Sequence, residues 1–121
     1  MKVAILKLRG ILLTSIQVDM SDEDAMAFQA DVLRVINDTE AKGLVIDITA
    51  MDVVDSFMAR VINDTAIQAG MLGTQVMLCG MQPDVALTLI EMGRELIGVE
   101  TALNLDQAFN RLETIIEERE A

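Results

Sequence analysis

Apolar residues recur along this chain in two rhythms, and the order in which those rhythms alternate constrains the fold more than any other feature. VAILKLRG and ILLTSIQV are rich in branched apolar residues, with Arg9-Gly10 between them, and predict two strands joined by a tight hairpin turn. From Ser21 the spacing changes: Ala25, Phe28, Val32, Val35 and Ile36 recur at helical intervals and predict a buried stripe. The Ser21 hydroxyl is placed to cap that helix, with Asp24 reaching back to it. After Gly43, LVIDI is a short continuous apolar run of the kind a strand shows when both its faces are covered. A helix from Ser56 follows, then TQVMLCG as another buried strand. Pro83 suits the first turn of a third helix, which Gly93 is expected to stop. A short strand is expected around Val99. Asp106 to Glu118 predicts a closing amphipathic helix, with Ala108, Phe109, Leu112, Ile115 and Ile116 inward. Two strands followed by helix and strand in alternation give an α/β domain: a mixed β-sheet with about four helices packed on it. No linker, repeat or low-complexity segment interrupts the chain, so residues 1–121 read as one domain.

The composition supports a folded core and removes several kinds of chemistry. Apolar residues make up 52% of the 121 residues, enough for one proper core. The longest apolar stretches are broken by charges or glycines, as in GLVIDITAMDVVD, so no membrane-spanning helix is expected. MKVAILKLRG lacks a signal-peptide pattern, and a cytoplasmic protein is expected. The net charge of -11 disfavours direct binding to nucleic acid or to an anionic membrane surface, both of which call for a positive face. The chain has no histidine, which excludes histidine-based acid/base catalysis and disfavours transition-metal sites. Its single cysteine, Cys79, lies in an apolar run and reads as a buried, inert thiol. Neither G-x-x-x-x-G-K nor G-x-G-x-x-G occurs, so no phosphate-cradling loop of either sort is present. The nine methionines, Met20, Met26, Met51, Met58, Met71 and Met92 among them, suit adaptable packing, with core filling as the default.

What remains centres on DVVDSFMARVINDTAIQAG, Asp52 to Gly70. At about 100° per residue, Met58, Val61, Ile62, Thr65, Ala66 and Ala69 form the core-facing stripe of the helix. Ser56, Arg60, Asn63 and Ile67 then fall on the solvent side, with Phe57 and Asp64 on its shoulder. A solvent row holding an isoleucine and flanked by a phenylalanine suggests a contact surface. Either Asp55 or Ser56 serves as a helix cap in the plainest reading. A nucleophilic Ser56 is disfavoured, because neither histidine nor a nearby lysine is present to activate it. A phosphoacceptor Ser56 is the third reading: a phosphate would meet the positive end of the helix dipole, with Arg60 one turn on. Asp47, Asp52 and Asp55 form no recognisable magnesium spacing, and capping or solvated positions suit them better.

This stretch, preceded by GLVIDITAMD and followed by LGTQVMLCGMQPDVALTLIEMG, resembles the STAS domain (sulfate transporter and anti-sigma-factor antagonist). ILKLRGILLTSIQVDMSDEDAMAFQADVL, VIDITAMDVVDSFMAR, GMQPDVALTLIEMG and ETALNLDQA together are similar to the RsbS-type scaffold subfamily of the bacterial stressosome, over essentially the whole chain. Direct anti-sigma-factor antagonists usually carry a small, glycine-containing sequence after their phosphoserine, whereas Phe57, Met58 and Ala59 follow Ser56 here. The resemblance implies that Ser56 is the phosphoacceptor. It implies a non-enzymatic scaffold without cofactor, catalytic residue or metal, acting in the general stress response. Its implied partners are a sensor paralogue with a STAS domain, a switch serine kinase of the histidine-kinase-like ATPase type and a resetting phosphatase, and self-association is expected. Asp55, Phe57, Arg60 and Asn63 are the expected kinase-docking residues. The alternative is a direct anti-sigma-factor antagonist that binds its kinase one-to-one.

Overall fold

The hairpin forms where the turn pair stands. A computed structural model describes residues 4–17, 20–91 and 99–120, and in it β1 (Ile5–Leu8) pairs antiparallel with β2 (Ile11–Ser15). Arg9 and Gly10 connect them with φ of 54° and 80°. Both values are left-handed, as the two-residue turn that matches strand twist requires. Gly10 adopts that conformation freely and Arg9 at some cost.

The rest alternates as the periodicities predict: α1 (Asp22–Thr39), β3 (Gly43–Asp47), α2 (Ser56–Met71), β4 (Gln75–Cys79), α3 (Pro83–Glu91), β5 (Glu100–Ala102) and α4 (Leu105–Glu120). The five strands lie in the order β1-β2-β3-β4-β5, and every neighbouring pair after the hairpin is parallel. Ser21 caps α1: its hydroxyl accepts from the Asp24 amide at 3.0 Å, and the Asp24 carboxylate accepts from the Ser21 amide at 3.2 Å. The expected stop at Gly93, and Met92 beside it, lie outside the described residues.

Parallel neighbours need crossover helices, and crossovers of one hand that all advance the same way stack their helices on one face of the sheet. The packing shows this. One cluster joins Leu12, Leu44, Ile46, Val76 and Leu78 of the sheet to Phe28, Val32 and Ile36 of α1, Ile62, Ala66 and Ala69 of α2, and Val85 and Leu89 of α3. The alternate strand residues Ile11, Val45, Met77 and Cys79 point the other way, onto Ala108 and Leu112 of α4. Phe109, Ile115 and Ile116 flank that smaller core, so the inward face expected of the last helix is the observed one. The central strands are covered on both faces, which is why they read as unbroken apolar runs rather than alternating ones. The α2 stripe is buried as expected, with Met58 half-buried. Ala59, which the stripe omits, is completely buried as well.

Candidate serine switch at the head of α2

The segment between β3 and α2 is held by its own backbone and by its neighbours. The Asp47 carboxylate accepts from the Thr49 amide at 2.9 Å and from the Thr49 hydroxyl. The Ile48 amide donates to the Cys79 carbonyl at 2.9 Å, and the Gln82 carboxamide donates to the Thr49 carbonyl at the same distance. Gly80, with φ of +76°, lies beneath this turn, and a Cβ there would come within 2.0 Å of the Thr49 hydroxyl oxygen. Met51 and Val54 are buried, while Asp52 and Val53 between them face solvent. Anchored at both ends, the loop delivers the chain to the start of α2 and leaves Val53 78% exposed.

Asp55, not Ser56, is the N-cap. Its backbone is extended (φ -93°, ψ 174°), and its carboxylate accepts from the Met58 amide at 2.7 Å. An ionised acceptor at a helix start makes a strong cap, because the bond is charge-assisted and the carboxylate faces the positive dipole end. Ser56 is therefore the first helical residue. It is exposed, and among the described residues its hydroxyl makes no hydrogen bond. Of the two capping alternatives left by the sequence, the structure selects Asp55 and leaves the serine hydroxyl unused.

Arg60 lies one turn further on, exposed, and has no ion pair among the described residues. Ile67 is 43% exposed on the same row. Phe57 and Asp64 are half-buried on the shoulder, and Phe57 belongs to neither apolar cluster. Asn63 departs from the expectation: it is half-buried, and its side-chain oxygen is out of water with no hydrogen-bond partner. The reason is Ala59. Asn63 lies only roughly 40° around the helix from that fully buried residue, so the arc of burial extends to it. Asn63 thus borders the row rather than belonging to its solvent side. Val53 is the exposed apolar residue that helix periodicity had no means of finding, since it lies in a loop.

Of the other acidic and sulfur groups nearby, Asp47, Asp55 and Cys79 have structural roles, and Asp52 is exposed. Among the described residues, no group of three metal-ligating side chains comes together. Asp47 organises the Thr49 turn and Asp55 caps α2. Cys79 is buried, and removal from water, with Asp47 nearby as a smaller influence, pushes its thiol from the ordinary 9.0 up to about 11. It is the inert thiol expected from its apolar surroundings. No described helix is long and apolar enough to cross a membrane.

Comparison with known proteins places this geometry. The STAS domain family matches residues 2–108. Moorella thermoacetica RsbS, solved as a serine-to-glutamate variant, is 38% identical, with a TM-score of 0.87 over 97% of this chain and 99% of that one. A chain from a structure of the stressosome, described as a signal integration and transduction hub, is also 38% identical, with a TM-score of 0.79 over 93% of this chain and 97% of that one. RsbT co-antagonist protein RsbRB of Bacillus subtilis (strain 168) is 26% identical over 76% of this chain, which spans only 33% of that protein's length. The anti-sigma factor antagonist SpoIIAA, at 9% identity and a TM-score of 0.70, shares the fold alone. With its five-stranded mixed sheet, four packed helices and RsbS-like sequence from end to end, this chain belongs to the STAS domain family.

Proposed function

We propose that this chain is a non-enzymatic, cytoplasmic stressosome scaffold that holds a switch serine kinase and releases it when Ser56 is phosphorylated. The observation that carries the reading is the division of labour at the head of α2: Asp55 does the capping, so the Ser56 hydroxyl is exposed and uncommitted. The likeness to RsbS and to a stressosome chain supports the assembly part, in which a sensor paralogue with a STAS domain and further copies of this chain are the companions. A resetting phosphatase completes the cycle.

The electrostatics give the switch a direction. A phosphate adds roughly -1.5 to -2 charges at a position where the exposed Asp52 and Asp55 already stand. Within the domain that charge is offset by the helix dipole, by about 0.3 to 1 kcal/mol, and by Arg60 one turn away. The fold therefore survives modification. A kinase docked over Ser56, Phe57 and Val53 has no comparable offset when it presents an acidic or apolar surface, and it leaves. Direct one-to-one antagonism of an anti-sigma factor finds less support, because the glycine-containing sequence usual after the phosphoserine of such antagonists is replaced by Phe57, Met58 and Ala59.

The test is retention of the kinase. With the purified switch kinase and sensor paralogue immobilised as one complex with this chain, addition of Mg-ATP should release kinase from wild type and not from Ser56→Ala. Equal release from both proteins would remove Ser56 from the mechanism.

A further inference from the structure

We propose that Gln82, at the head of α3, is a positioning residue for the phosphorylation of Ser56: its carboxamide fixes the loop that presents the serine. The inference rests on the reading above and deepens it. GMQPD runs from Gly80 to Asp84, and α3 begins at its Pro83. Gln82 stands immediately before that helix, and its carbonyl accepts from the Ala86 amide at 3.1 Å, the first helical bond. This is the N-cap position, where serine, threonine, aspartate and asparagine are favoured because a short side chain reaches the free amides of its own helix. Glutamine is not among them. Its longer side chain serves another element instead: the half-buried Gln82 donates from its carboxamide to the Thr49 carbonyl at 2.9 Å.

That bond acts on the segment leading to the switch. The Met51 amide donates to the Ile48 carbonyl at 3.0 Å, so Thr49 lies inside a turn. The Asp47 carboxylate holds one side of this turn and Gln82 the other. Helix α3 supports the same loop by apolar contact, since its Val85 shares a buried cluster with Met51 and Val54, and Met81 packs against that cluster. Residues 50–55 alone separate Thr49 from Ser56. Ala50, Asp52, Val53 and Asp55 among them are exposed, and a segment with so few buried contacts opens easily unless its ends are tied. Ser56 is the first residue of α2, the part of a helix that frays first. Phosphoryl transfer depends almost wholly on holding the acceptor oxygen in line with the phosphate. Gln82 therefore works on the reaction through the loop, without touching the serine.

Two variants separate this role from a merely structural one. Gln82→Ser supplies a favoured cap for α3 but cannot span to Thr49, and Gln82→Glu keeps the length and loses the donor. Each is compared with wild type by thermal melt, by amide hydrogen exchange of residues 50–55, and by the rate at which purified switch kinase and Mg-ATP phosphorylate Ser56. Gln82→Ser should melt no lower than wild type, because the cap improves. Both variants should exchange the loop amides faster. Their kcat should fall about three- to tenfold, the share of one neutral hydrogen bond, with KM within about twofold. The inference is overturned by unchanged loop exchange, by an unchanged kcat, by a rise in KM alone, or by a loss of rate that appears only together with a fall in Tm. A wild type that carries no phosphate on Ser56 overturns the reading above and this inference with it. Wild type modified at Ser56 and variants modified at the full rate overturn the inference alone.

Discussion

Replacing Asp55 by alanine and, separately, Ser56 by alanine should have opposite consequences for stability and for signalling. The Asp55 carboxylate accepts from the Met58 amide at 2.7 Å and is the N-cap of α2. Removing such a cap costs about 1 kcal/mol, within a span of roughly 0.5 to 2. For a chain of this size, 1 kcal/mol corresponds to a fall in Tm of about 3 to 6 °C. The Ser56 hydroxyl has no partner among the described residues, and alanine is the best helix former. Ser56→Ala should therefore lie within about 0.5 kcal/mol of wild type. Urea denaturation of both variants, with equal slopes to certify a common unfolded state, reads the difference directly. Release of bound kinase by Mg-ATP should be lost in Ser56→Ala, whereas Asp55→Ala keeps the Ser56 hydroxyl and should still release the kinase it holds, even where loss of the Asp55 carboxylate weakens docking. A Ser56→Ala protein destabilised as much as Asp55→Ala would mean that the serine is a cap after all, and the argument for an uncommitted hydroxyl would fail.

Further outcomes follow from the same geometry. Gly80→Ala should destabilise by about 1 to 3 kcal/mol, from the positive φ and the clash with Thr49, and should weaken kinase binding through the displaced loop; an unchanged Tm would contradict it. Val53→Asp should leave stability within about 0.5 kcal/mol, since the residue is 78% exposed, yet impair kinase docking in a pull-down. Phe57→Ala should cost about 1 to 3 kcal/mol of kinase affinity if it anchors the interface, and a collapse of Tm with affinity per folded molecule preserved would return Phe57 to the core. The Cys79 thiol, pushed from 9.0 to about 11, binds its proton more tightly folded than unfolded. Its contribution is complete below pH 9 and fades as pH rises toward 11, by roughly 1.4 kcal/mol per unit at most; wild type should therefore lose stability relative to Cys79→Ala across that window. Calorimetric titration with Mg-ATP should show no heat beyond dilution.

Much of this fold is legible in the sequence because each element carries a local signal that its neighbours do not contradict. Arg9-Gly10 announces the hairpin, Ser21 and Asp24 announce α1, and unbroken apolar runs announce strands that are covered on both faces. The site is legible only in part. Helix periodicity finds the row of Ser56, Arg60 and Ile67, but a single small residue, Ala59, lets burial reach Asn63 and takes it off the solvent side. The choice of cap between two adjacent residues with oxygen-bearing side chains depends on where the backbone leaves the extended region, which it does after Asp55 (φ -93°, ψ 174°), and residue preference alone does not separate aspartate from serine there. Val53 is invisible to periodicity because it lies in the loop before α2, where no helical spacing governs exposure.

The central claim is that Ser56 is the switch, and phosphosite mapping tests it most directly. Wild-type and Ser56→Ala proteins are incubated with the switch kinase, Mg-ATP and the sensor paralogue, and the phosphate is located and quantified by mass spectrometry while bound kinase is measured in parallel. The account expects phosphate on Ser56 of the wild type, rising in step with kinase release, and neither change in the variant. Phosphate found chiefly on Ser15, Ser21 or a threonine, with Ser56 unmodified while the kinase still departs, would contradict it.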